Sequence, residues 1–153
     1  MGSIDKPKQP FTPKILIGFD FGLKRIGVAI GQTVTKTARP LDTIQAKCGE
    51  PDWPTLQKLI KKWSPDAFVV GIPLNMDGTD QPISKRAREF SQNLRKYFQL
   101  PVYEVDERLT TKDAREQLFT VGGYQALQGG QVDRVAAQLI LQNWLTQNRS
   151  STS

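Results

Sequence analysis

Between Ile15 and Ile30 the chain reads Ile-Leu-Ile-Gly-Phe-Asp-Phe-Gly-Leu-Lys-Arg-Ile-Gly-Val-Ala-Ile, two β-prone apolar runs separated by Gly-Leu-Lys-Arg. Two such runs at this separation predict a β-hairpin. Asp20 interrupts the first run near its end, in what the pattern makes a central strand. A carboxylate there is costly to desolvate unless a cation or hydrogen-bond donor meets it. Gly18, Gly22 and Gly27 remove side chains around it, so a ligand or another backbone can come close. Asp20 is therefore a candidate site residue; the alternative is that it only caps the Phe21-Gly22 turn, a common use of that residue pair.

The length of 153 residues suits one domain with a sizeable core and is too short for two substantial domains around a cleft. We expect residues 1–13, polar and holding three prolines, to be a disordered lead, residues 14–147 to form the domain, and residues 148–153 to be a disordered tail. The polar start does not resemble a signal peptide and no apolar run reaches transmembrane length, so the expected location is the cytoplasm, with no membrane partner. Histidine is absent and Cys48 is the only cysteine, which excludes a disulfide framework, a Cys/His zinc site and a histidine-based triad. Acid–base or metal chemistry then falls to carboxylates, whose hard oxygens suit Mg2+ or Mn2+. Lysine and arginine outnumber aspartate and glutamate by 21 to 15, which favours a polyanionic partner.

After the hairpin, Ala38 to Ile44 suits a third, edge-like strand, and Ala46 to Pro54 reads as a loop. Leu56, Leu59, Ile60 and Trp63 recur at helical spacing, and Ala67 to Ile72 is the continuous apolar run of a strand buried on both faces. The polar loop from Leu74 to Asp80 follows at the strand's carboxyl end, where open α/β sheets place ligands, although Asp77-Gly78 also suits a plain turn. Ile83, Ala87, Phe90 and Leu94 mark a second helix, whose basic face (Lys85, Arg86, Arg88, Arg95, Lys96) is either solvated or set against nucleic acid. Pro101 to Val105 is another short strand, followed by Asp106-Glu107-Arg108. A helix capped by Thr110 or Thr111 and stopped by Gly122-Gly123, a loop over Tyr124 to Gln131, and a closing helix from Val132 to about Gln147 complete the chain. That helix carries Val132, Val135, Ala136, Leu139, Ile140 and Asn143 along one face, with Asp133 in its first turn. Asp133 also suits a helix N-terminus for its charge alone.

This order predicts an α/β fold, a mixed sheet of a three-strand antiparallel meander plus two parallel strands, flanked by helices. If the closing helix lies over the first strand, Asp20, Glu107 and Asp133 converge. Three carboxylates that close repel one another unless cations neutralise them, and two Mg2+ ions would align water and a leaving phosphate oxygen for hydrolysis. Lys24 and Arg25 in the hairpin, Arg39 on the third strand and Arg108 beside Glu107 are expected to hold phosphates on the approach. Arg25 has an alternative use in pairing with a local carboxylate.

The motifs Gly18 to Ala29 (Gly-Phe-Asp-Phe-Gly-Leu-Lys-Arg-Ile-Gly-Val-Ala), Thr37 to Leu41, Gly71 to Thr79 (Gly-Ile-Pro-Leu-Asn-Met-Asp-Gly-Thr), Asp106 to Thr110 (Asp-Glu-Arg-Leu-Thr) and Val132-Asp133 together make Ile15 to Leu145 resemble the YqgF family. The family is also called RuvX, bacterial RNase H-like proteins described as Holliday junction resolvases or pre-16S rRNA nucleases. The resemblance implies an RNase H-like sheet and a nuclease site using Mg2+ or Mn2+ at Asp20, Glu107 and Asp133, with Asp106 the fallback for Glu107. Arg134 departs from the small residue that family members often carry after the last aspartate; facing inward it would compete with metal, facing outward it would hold a phosphate. Three other readings stay open: resolution of a four-way DNA junction, a non-catalytic RNA- or ribosome-binding protein on the same fold, and the first phosphate loop of the actin, Hsp70 and sugar-kinase superfamily. Each helix has one apolar stripe, which a single two-faced sheet would consume, leaving no apolar face for a tight dimer. A monomer that cuts one strand at a time suits maturation of the 16S rRNA 5′ end better than paired incision of a junction.

Overall fold

The computed structural model describes residues 13–107 and 130–147. Its elements, in chain order, are β1 (Ile15–Asp20), β2 (Arg25–Gln32), β3 (Thr37–Lys47), β4 (Glu50–Pro51), α1 (Trp53–Trp63), β5 (Ala67–Ile72), α2 (Pro82–Phe98), β6 (Val102–Asp106) and α3 (Gly130–Gln147). The helix expected after Thr110 falls outside the described residues.

The strands lie in the order β4-β3-β2-β1-β5-β6. β1, β2 and β3 form the antiparallel meander, and β5 and β6 add in parallel beyond β1. β1 is therefore central, hydrogen-bonded to β2 on one side and β5 on the other, which is why its run is so uniformly apolar. Side chains alternate across the sheet. Ile17, Phe19, Val28, Ile30, Phe68 and Val70 point to one face and form the larger core with Leu56, Leu59 and Ile60 of α1 and Ala87, Phe90 and Leu94 of α2. Leu16, Ala29, Ala38, Ala67 and Val69 point to the other, where, among the described residues, α3 covers them with Ala137, Ile140, Leu141 and Leu145. Small residues dominate this second face, and α3 settles close to it. A Cβ at Gly18 would stand 2.8 Å from the Cβ of Leu141.

Boundaries differ from the sequence reading most at β3, β4 and α3. β3 runs to Lys47, and the stretch expected as a loop folds back as β4 through Cys48 and Gly49, both at positive φ (50° and 87°), the twist that suits a two-residue hairpin. α3 begins at Gly130, inside the expected loop. Its buried face is centred on Ala137, Ile140, Leu141 and Leu145, while Val132, Val135, Ala136 and Asn143 are only half-buried. Apolar residues lie almost all round this helix, so periodicity alone did not orient it.

Two glutamines of α3 are structural. Gln142 accepts from the Ala38 N–H (3.0 Å) and donates to the Lys36 carbonyl (2.7 Å), and Gln138 donates to the Ala38 carbonyl (3.0 Å). They tie α3 to the start of β3, where β4 does not reach and the backbone groups otherwise need partners.

Candidate functional site

Asp20 ends β1, opposite Gly27 of β2 and level with Gly71 of β5. Counting alternate residues from Leu16 and Gly18, its side chain falls on the α3 face. The same count along β6 puts Tyr103 and Val105 against the α3 core, so Glu107 follows on that face and Asp106 falls on the other. The Glu107 N–H donates to the Ile72 carbonyl (3.0 Å), which extends the β5–β6 ladder one residue and fixes Glu107 beside the end of β1. Asp133 arrives from above, in the first turn of α3.

The three expected carboxylates are thus brought together. Part of Asp20 stays accessible, but its carboxyl lies deep enough that desolvation dominates its ionisation. Burial, then the charge of Glu107 and a hydrogen bond shared with it, then the charge of Asp133, push the Asp20 carboxyl well above the usual carboxylate range. Asp133 meets a cation. Its Oδ2 accepts from Nε of Arg25 at 2.8 Å, in a pair whose side chains are 46% and 22% exposed. Arg25 thus pairs with a carboxylate, though not the local one expected: its partner lies 108 residues along the chain. Among the described residues, no three carboxylates stand in an arrangement that would already hold a metal ion.

The donor set nonetheless fits a hard divalent cation. All three groups offer carboxylate oxygens, and the repulsion that raises Asp20 is the kind a dication relieves.

The expected phosphate-binding residues divide. Lys24 is exposed in the β1–β2 loop, which follows directly on Asp20. Arg39 is not at the site: it sits on the opposite sheet face, partnered to Ile30, with its guanidinium 5.4 Å from the Trp63 ring centroid. Strand alternation decides this, since Ala38 faces α3 and Arg39 therefore cannot. Arg134 is half-buried next to Asp133, and Arg108 lies outside the described residues.

The sequence reading missed the link between the β3–β4 turn and the site. The Ala46 N–H donates to Lys24 O and the Gly49 N–H to Leu23 O, both at 2.9 Å, so the turn is clipped onto the β1–β2 loop. Arg86 of α2 donates to the Cys48 carbonyl from behind, and Lys47 is exposed on the turn. The only available signal was Cys48-Gly49, a weak turn dipeptide. On the other flank, the loop from Leu74 to Asp80 is held by its own side chains. Asp77 accepts from the Thr79 N–H (3.0 Å) and hydroxyl (2.6 Å), Asn75 donates to the Thr79 hydroxyl (2.9 Å), and Gly78 takes φ 91°, so Asp77-Gly78 does make the turn. Arg88 bonds Asp80 at 2.6 Å and holds its carboxyl below the usual range.

Residues 14–147 match the family model RuvX, described as Holliday junction resolvase. A protein of Aeromonas salmonicida named as a candidate pre-16S rRNA nuclease is 55% identical over 134 residues, 88% of this chain and 96% of that protein. One of Klebsiella pneumoniae with the same name is 50% identical over 132 residues, 86% of this chain and 96% of its own length. Among solved structures, Thermus thermophilus RuvC in complex with a Holliday junction substrate superposes with a TM-score of 0.57 at 15% identity, over 90% of this chain and 97% of that one. The yeast mitochondrial Holliday junction resolvase superposes at 0.54 with 10% identity, over 93% and 81%. These structures share the RNase H-like fold. The chain belongs to the RuvX family and is a nuclease, an enzyme that hydrolyses phosphodiester bonds.

Proposed function

We propose that this nuclease acts on the 5′ end of the 16S rRNA precursor, with Asp20, Glu107 and Asp133 as the catalytic carboxylates and the ligands of Mg2+ or Mn2+, two ions in all. The observation that carries the reading is the convergence of Asp20 and Glu107 beneath Asp133, close enough for their charges to raise Asp20. When bound, the ions supply charge stabilisation at the reacting phosphate and acidify the attacking water. The chain's own groups do the rest. Asp20 anchors the site on the central strand, Glu107 is fixed by the Ile72 carbonyl, and Asp133 is set by the docking of α3. Lys24, Arg25 and Arg134, together with Arg108, hold the phosphates of the bound strand.

The RNA reading rests on the relatives' names and on the surface. The exposed large apolar side chains among the described residues are Leu23, Val34, Met76 and Tyr97, on four separate parts of the fold. Scattered residues do not form the apolar patch of a tight two-fold dimer, which paired incision of a junction needs. A monomer acting on a ribosomal precursor in the cytoplasm fits this surface. Among the described residues no helix is long and apolar enough to cross a membrane.

The test is cleavage of precursor 16S rRNA and of a four-way DNA junction side by side, in Mg2+ and in EDTA, by the wild type and Asp20→Asn. Site-specific RNA cleavage lost in EDTA and in the variant is expected. Full activity in EDTA would remove the cation. Paired symmetric junction cuts by a dimer, with the precursor left intact, would replace RNA maturation by junction resolution.

A further inference from the structure

We propose that Arg25 is an internal counter-ion for Asp133, and that a nucleic-acid phosphate drawing Arg25 away frees Asp133 for the divalent cation, so that nucleic acid and cation bind cooperatively. The inference rests on the cation reading above and adds how the site is switched.

The backbone leaves Asp133 little choice. Gly27 lies two residues beyond Arg25 on β2, and its missing side chain lets α3 press onto the strand: a Cβ there would stand 1.9 Å from the Asp133 carbonyl oxygen. The main chain at Asp133 is therefore fixed, and only its side chain turns. Its carboxylate lies between the guanidinium of Arg25 and Asp20, close enough for its charge to act on the latter. In the structure it takes Arg25, at 2.8 Å from Nε. That contact uses one of the five N–H donors of a guanidinium, and the side chain is 46% exposed, so a phosphate reaches it from solvent without any element moving. Ion pairs this exposed are weak and yield to stronger partners, and Arg offers phosphate a two-pronged geometry. Once Arg25 engages phosphate, Asp133 loses its counter-ion beside two other carboxylates, and a dication becomes the group that satisfies all three. By linkage the coupling is reciprocal: the cation must favour nucleic acid as much as nucleic acid favours the cation.

The test measures Mn2+ binding, by the signal of free Mn2+ in electron paramagnetic resonance, for the wild type, Arg25→Gln, Arg25→Lys and Lys24→Gln. Each is titrated with Mn2+ alone and with a short single-stranded RNA whose phosphorothioate linkages resist cleavage. For Mn2+ alone, Arg25→Gln is expected to bind about fivefold or more tightly than the wild type, the lower range of measured couplings. The RNA is expected to tighten Mn2+ binding in the wild type by a similar factor and to do so far less in Arg25→Gln. Arg25→Lys, which keeps the charge, should lie between the two. Lys24→Gln removes the same charge one residue away; if it tightens Mn2+ as much as Arg25→Gln, general electrostatics accounts for the effect and the proposal falls. It falls alone if Mn2+ binding is abolished by Asp20→Asn but untouched by Arg25→Gln. If no protein binds Mn2+, the cation reading fails and takes this inference with it.

Discussion

The main chain of Asp133 packs directly on Gly27, with no room between β2 and α3 for even one side-chain carbon. The strand and the helix that carry the site meet backbone to backbone, and this contact sets the height of Asp133 above Asp20. Gly27→Ala is expected to push α3 off the sheet. Overpacking of this kind costs about 1–3 kcal/mol, and a clash with a carbonyl that cannot rotate away belongs at the upper end. Urea unfolding is the measurement; an unchanged midpoint would mean that α3 is not seated as described.

Removing the crowded charge should do the opposite. The Asp20 carboxyl is raised in the folded protein, whereas in the unfolded chain it titrates near about 4. Between those values the folded state holds the extra proton, so its stability falls as pH rises and levels off above the folded value. Asp20→Asn has no proton to lose there. Relative to the wild type it should gain stability as pH is raised from 4 to 8 without cation, while cleavage falls by on the order of 100-fold or more, beyond the usual loss for an outer-sphere partner. Thermal melts across that range check the sign, and a wild type that gains stability with pH relative to the variant would refute it.

Glu107 and Asp106 are neighbours in sequence and opposites in space. Glu107→Gln is expected to abolish cleavage to about the same degree as Asp20→Asn, and Asp106→Asn to leave most of it, because alternation along β6 turns Asp106 away from Asp20. Cleavage rates in saturating Mn2+ decide between them. Equal losses in the two variants would place both residues in the chemistry.

Much of this was legible before the structure. The hairpin around Asp20, the buried run of β5 and the helices over Leu56 and Phe90 announce themselves by period, because each is amphipathic or wholly buried in the ordinary way. What stayed hidden depended on which face a residue takes. Arg39 reads as a cation on a strand near the site until the register puts Ala38 under α3 and Arg39 against Trp63. The β3–β4 turn was hidden because Cys48, at φ 50°, is not a residue type that marks a positive-φ turn position. The partner of Arg25 was invisible because it lies 108 residues away, beyond any local pattern.

Phosphate contacts leave a signature in salt. For a single strand, log affinity falls against log salt concentration with a slope of about −0.7 per contact. Lys24→Ala is expected to flatten that slope by about one such unit, and Arg39→Ala, on the far face, to leave it unchanged. Filter binding to single-stranded RNA from low to moderate salt gives both slopes. A slope altered only by Arg39→Ala would put the strand on the wrong side of the sheet.

β1 has a strand on each flank, and Asp20 stands at its end. Amides in such a strand are expected to exchange with solvent only when the sheet itself comes apart, whereas among the described residues β6 has a strand on one side only and α3 packs on one face of the sheet. In the proposed site the deepest carboxylate thus stands on the strand that is flanked on both sides, and Glu107 and Asp133 come to it from β6 and α3, the elements expected to lose their amide protection first.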